Sequence, residues 1–118
     1  MKKILILFVS LCFCVTLFAQ KKIKVACVGN SITYGYTLPD REINAYPAKL
    51  QKMLGDDYVV GNFGKSGATL LNKGHRPYMQ QEEYHKAIDF AGDIVVIHLG
   101  INCLLYTSPS PRDMRRSR

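Results

Sequence analysis

The sequence predicts a three-layer α/β fold built on a parallel sheet. Three short apolar runs, Ile23 to Val28, Tyr58 to Phe63 and Ile94 to Leu99, each reach a glycine at or just past their ends, as parallel strands buried on both faces do. Amphipathic helical stripes separate them, so the order is β-α-β-α-β, which implies right-handed crossovers and a parallel sheet. A chain of 118 residues holds about one such domain.

Each element follows from local chemistry. The first strand ends at Gly29, and Cys27 inside it is expected to pack as a small hydrophobe. A helix is expected from about Pro47, with Leu50, Met53 and Leu54 on one face and Gly55 as its stop. The second strand opens at Tyr58-Val59-Val60. Within Gln80 to Phe90, Tyr84, Ala87 and Ile88 form the stripe of a second helix, and the third strand closes before Gly100. If the first strand lies between the other two, the loops that follow all three converge on one crevice.

The two ends of the chain differ from this middle. Met1 to Ala19 carries Lys2 and Lys3, then the apolar run Ile4 to Phe18, then the small residue Ala19, which is signal-peptide grammar with cleavage expected after Ala19. That run is short of the roughly 20 residues a membrane-spanning helix needs, so secretion or export to the periplasm is expected, with no span left after cleavage. At the other end, Cys103 to Asp113 reads CLLYTSPSPRD. It resembles, residue for residue, the translation of a transposase-type sequencing adapter, with Ser117 and Arg118 continuing in frame. The expected organisation is a leader at 1–19, the N-terminal part of a domain at 20–102 that breaks off after its third strand, and a non-native tail at 103–118.

This division disposes of a charge argument. The whole chain carries a formal +7, which by itself would suggest nucleic acid or an anionic surface. Without Lys2, Lys3 and the four arginines of the tail, ten Lys or Arg face eight Asp or Glu, a balance of +2. Nucleic acid therefore drops out as a partner. Cysteine spacing offers neither a disulfide framework nor a metal site, and no cofactor is expected.

The strand ends carry the chemistry. Gly29-Asn30-Ser31-Ile32-Thr33 follows the first, Asn62-Phe63-Gly64-Lys65-Ser66-Gly67-Ala68-Thr69 the second, and Gly100-Ile101-Asn102 the third. Ser31 stands where a glycine turn lifts a hydroxyl into the start of a helix, with its own amide and the positive helix end facing a reacting carbonyl. Gly67 offers a second amide that no side chain screens, and the carboxamide of Asn102 a third donor. Together they read as a serine nucleophile with an oxyanion hole.

These three blocks, in this order, resemble those of the SGNH hydrolases, the GDSL-like lipase and acylhydrolase family, across Ile23 to Asn102. The resemblance implies a flavodoxin-like sheet, Ser31 as nucleophile, and Gly67 and Asn102 as oxyanion donors. It also implies a serine esterase that takes short acyl esters of small molecules or carbohydrates, sugar O-acetyl groups among them. Asn30 stands where the family has Asp. The Asp expected after Asn102 and the later Asp-x-x-His block are missing, and the 118-residue chain is accordingly expected to be inactive. His98 reads as a structural residue of the third strand, and His75 and His85 precede it on a loop and a helix. Two other readings remain at this point: a flavodoxin-like anion or nucleotide binder, against which the first loop lacks Gly-x-Gly-x-x-Gly, and a non-catalytic glycan-binding module.

Overall fold

The computed structural model describes residues 21–103. The expected leader and, apart from Cys103, the expected tail lie outside the described residues. Strands β1 (Ile23–Gly29), β2 (Tyr58–Gly64) and β3 (Ile94–His98) form a parallel sheet in the order β2-β1-β3, so the first strand is central. The register pairs Ile23 with Tyr58 and Gly29 with Gly64 on one side of β1, and Gly29 with His98 on the other. All three strand ends therefore stop at one level.

The helices are α1 (Ser31–Tyr34), α2 (Arg41–Asn44), α3 (Tyr46–Leu54) and α4 (Glu82–Phe90), with short 3₁₀ turns at Tyr78–Gln80 and Ile101–Cys103. Alternation along β1 sorts them into layers. Val60 and Asn62 of β2 share a cleft with Pro47, Ala48 and Gln51 of α3, and Cys27 lies near Tyr46. On the opposite face, Ala26 and Val28 share a cleft with Tyr84 and Ala87 of α4, and the Phe63 and Phe90 rings meet at 5.2 Å. Val25, Ala26, Cys27 and Val28 are all buried, so the core lies along β1. Burying Val25 and Val28 is worth about 1.5–3 kcal/mol each.

Two expectations about faces need correction. Met53 is 82% exposed; helix α3 turns Leu50, Gln51 and Leu54 inward instead. The reason is Gln51, whose side-chain oxygen accepts from Val60 N at 2.7 Å while its amide donates to Tyr58 O and Gly55 O, each at 3.0 Å. An edge strand has unpaired backbone groups, and a polar side chain that satisfies them outcompetes a methionine for the inner face. In strand β3, Ile94, Val95, Val96 and Ile97 are exposed. It is the other edge, and among the described residues no strand lies beyond it. Ile88 of α4 is exposed as well, because it points toward the same uncovered side, where it lines a cleft with Val95 and Ile97.

Candidate active site

Ser31 begins α1 and is half-buried. The turn that presents it is held by Asn30, which is 1% exposed and caps the helix by accepting from Ile32 N through Oδ1 at 3.1 Å. The helix is one turn long, closed by Gly35 at φ +84. So short a helix sums too few peptide dipoles to act as a macrodipole, and the positive helix end expected from sequence shrinks to the individual amides of its first turn. Beneath α1, Thr33 is wholly buried, and its hydroxyl donates to Tyr46 Oη at 3.4 Å.

Three hydrogen bonds lock the strand-end loops to one another. Lys65 N donates to Gly29 O at 2.9 Å, and Asn30 N donates to His98 O at 3.2 Å. Asn102 Nδ2 donates to Ala68 O at 2.9 Å. The first joins the Ser31 loop to the Gly67 loop, the second joins the Ser31 loop to β3, and the third joins the Asn102 turn to the Gly67 loop. One N–H of the Asn102 carboxamide is thus committed to the backbone next to Gly67, and its second remains to be given elsewhere. Gly67 has φ +78, the left-handed region that favours glycine. Ser31, Gly67 and Asn102 are each half-buried, as groups that must meet a ligand need to be.

Partners that the sequence did not suggest support this arrangement. Lys65 Nζ pairs with Glu83 Oε1 at 2.9 Å, a partly buried bridge from the Gly67 loop to α4. Tyr78 donates to Phe63 O at 2.6 Å, and burial, reinforced by the Glu83 carboxylate, holds its phenol protonated far above the ordinary range. Burial also pushes the Cys27 thiol up, against a smaller opposing hydrogen bond from Tyr46. Arg76, on the loop after Gly67, reaches Ser66 O through Nη1 at 2.9 Å. No spacing rule signals such a contact, because it depends on how the loop after Gly67 folds back.

The histidines are dispersed. His98 ends β3 and is half-buried, with its carbonyl engaged by Asn30 N. His85 lies on α4, edge-on to the Tyr84 ring at 5.4 Å, and His75 is exposed on the loop after Gly67. Among the described residues no cluster of three or more His, Cys, Asp or Glu could hold a metal ion, and no helix is long and apolar enough to cross a membrane. A cleft of about 480 Å³, almost wholly apolar, runs between α4 and β3, and none of Ser31, Gly67 and Asn102 lines it. Size is a poorer guide here than chemistry, since that cleft holds no nucleophile and no convergent donors.

Comparison with known proteins bears on these strand ends. The family model described as GDSL-like Lipase/Acylhydrolase matches residues 27–116. The match runs past Asn102 and so marks no boundary there. An acetylxylan esterase of Xylanibacter ruminicola is 52% identical over 83 residues, which is 70% of this chain and 17% of that protein. Crystal structures of AlinE4, an esterase of the SGNH-hydrolase family, and of a mutant of it superpose with a TM-score of 0.55 at 27% identity, covering 81% of this chain and 49% of theirs. The chain therefore spans about half the length of the solved structures and about a sixth of the curated relative.

Proposed function

The chain belongs to the GDSL-like lipase and acylhydrolase family, the SGNH hydrolases, and we propose that it is the nucleophile-bearing part of a secreted serine esterase that removes short acyl groups from carbohydrates. Three observations support the components of this reading. The name of the Xylanibacter relative, acetylxylan esterase, favours an acetyl group on a sugar. The Met1–Ala19 leader pattern favours export. The observation that carries the reaction is the 2.9 Å bond from Asn102 Nδ2 to Ala68 O, which brings the third block against the second, while the Lys65 bond to Gly29 O brings the second against Ser31.

In this mechanism Ser31 Oγ attacks the acyl carbonyl, and its proton passes to a histidine held by an acidic residue. Both partners are proposed to come from chain beyond Asn102 in the full-length enzyme, and the residues after Asn102 here to be foreign. The carbonyl oxygen becomes an oxyanion and is held by Ser31 N–H, Gly67 N–H and the second N–H of the Asn102 carboxamide. Collapse expels the sugar hydroxyl, which takes the proton from the histidine. Water, deprotonated by the same histidine, then attacks the acyl-enzyme and releases carboxylate and free Ser31. No metal is needed for any of these steps.

The test uses the full-length enzyme that contains this chain. Acetate release from acetylated xylan should disappear in Ser31→Ala while the protein stays folded. Undiminished release by that variant would overturn the proposal, as would co-purification of a flavin or nucleotide with a protein that hydrolyses no ester.

A further inference from the structure

Residues Lys65 to Ala68 form a tight turn, with Ala68 N donating to Lys65 O at 3.1 Å. Gly67 in its third position has φ +78, and Ser66 is not among the residues with positive φ. That combination is a type II turn. Types I and II share their end residues and differ by a flip of the central peptide, here the Ser66–Gly67 unit. Because a trans peptide directs its C=O and N–H to opposite sides, the flip decides whether the Gly67 N–H faces one side of the loop or the other. A type I turn is the commoner and is open to most residues, so the backbone alone does not hold the flip.

Arg76 holds it. Its Nη1 donates to Ser66 O at 2.9 Å, the carbonyl of the same peptide whose N–H belongs to Gly67. The guanidinium also packs over that residue, since a Cβ on Gly67 would lie 3.6 Å from Nη1. The side chain is exposed but its root is fixed: Thr69 N donates to Arg76 O at 2.8 Å, and Tyr78 N to Thr69 O at 2.9 Å, with Thr69, Pro77 and Tyr78 all buried. Rotation of the peptide to the type I form would carry Ser66 O away from the guanidinium and break a charge-assisted bond. A cation on the carbonyl also polarises the peptide and makes its N–H a stronger donor.

We propose that Arg76 is a positioning residue for the reaction, fixing the Ser66–Gly67 peptide in its type II orientation so that Gly67 N–H is aimed and polarised toward the oxyanion. This inference rests on the esterase reading above. It predicts an effect on the transition state and little effect on substrate binding, because the oxyanion exists only after attack.

The experiment compares full-length wild-type enzyme with Arg76→Ala, Arg76→Lys and Ser31→Ala on an acetyl ester. Arg76→Ala should lower kcat about 10- to 100-fold, short of the 10²–10³ for outright loss of one oxyanion donor, with KM changed by less than about threefold. Its affinity for a trifluoromethyl ketone should weaken in step with kcat/KM. Added guanidinium chloride should restore part of the rate, and Arg76→Lys should retain more activity than Arg76→Ala. A crystal structure of Arg76→Ala should show Gly67 with negative φ. A kcat within twofold of wild type, a loss confined to KM, or a loss that guanidinium does not relieve would each overturn the inference. Turnover that survives Ser31→Ala overturns the esterase reading and this inference with it, whereas turnover lost with Ser31 but indifferent to Arg76 overturns this inference alone.

Discussion

Replacing Gly64 with alanine should cost substantial stability. Gly64 ends β2 against the backbone of α1: a Cβ there would lie 2.6 Å from both the carbonyl carbon of Thr33 and Tyr34 Cα, and closer still to Tyr34 N. These are main-chain atoms, so no rotamer change relieves the overlap. Either the end of β2 or the whole Ser31 turn must move by close to an ångström, which breaks the Lys65 bond to Gly29 O. Overpacking of this kind costs about 3 kcal/mol or more where backbone must shift. For a domain of this size that lowers the melting midpoint by roughly 12 °C or more. Gly100→Ala is the control, since a Cβ there meets nothing within 4 Å. Thermal melts of the two variants and the parent chain, followed by far-UV circular dichroism, measure the difference. A Gly64→Ala midpoint within about 2 °C of the parent would refute the close packing of β2 on α1.

Other outcomes follow from the same contacts. Asn102→Ala in the full-length enzyme should lower kcat by about 10²–10³ with a much smaller change in KM, read by steady-state kinetics, as loss of one oxyanion donor does. Asn30→Ala removes the cap on Ile32 N and should destabilise by about 1 kcal/mol in urea titration. The raised Tyr78 phenol contributes stability that is fully present below the ordinary tyrosine range and is lost as pH climbs through its folded-state value. Urea titrations at neutral and strongly alkaline pH should therefore show a shallower alkaline decline for Tyr78→Phe than for the parent.

How much of this was legible beforehand depends on the kind of contact. The mostly apolar run Ile23 to Val28 made a strand covered on both faces readable, and the condition that the first strand lies between the other two, which brings the glycine-rich ends together, is met by the order β2-β1-β3. Ser31, Gly67 and Asn102 were picked out by their place after those ends, and the hydrogen bonds among Gly29, Lys65, Ala68 and Asn102 join the three loops that carry them. Helix faces were read less well. A hydrophobic stripe assigns Met53 to the core, but burial at an edge strand is decided by backbone donors and acceptors, and Gln51 meets two of them, at Tyr58 and Val60, and a third group at the helix end, Gly55 O. The single turns α1 and α2 have too few residues for any periodicity to register. Arg76 was illegible for another reason: its role lies in a long side chain crossing a folded-back loop to one carbonyl, a contact no local pattern encodes.

The nucleophile itself can be marked directly. Full-length enzyme treated with a serine-directed fluorophosphonate and digested should show the added phosphonyl mass on the peptide containing Ser31, and acetyl esterase activity should fall in proportion to the label. A label found on a different serine, or full esterase activity with Ser31 unmodified under conditions that label other serine hydrolases, would contradict the assignment of Ser31 as the nucleophile.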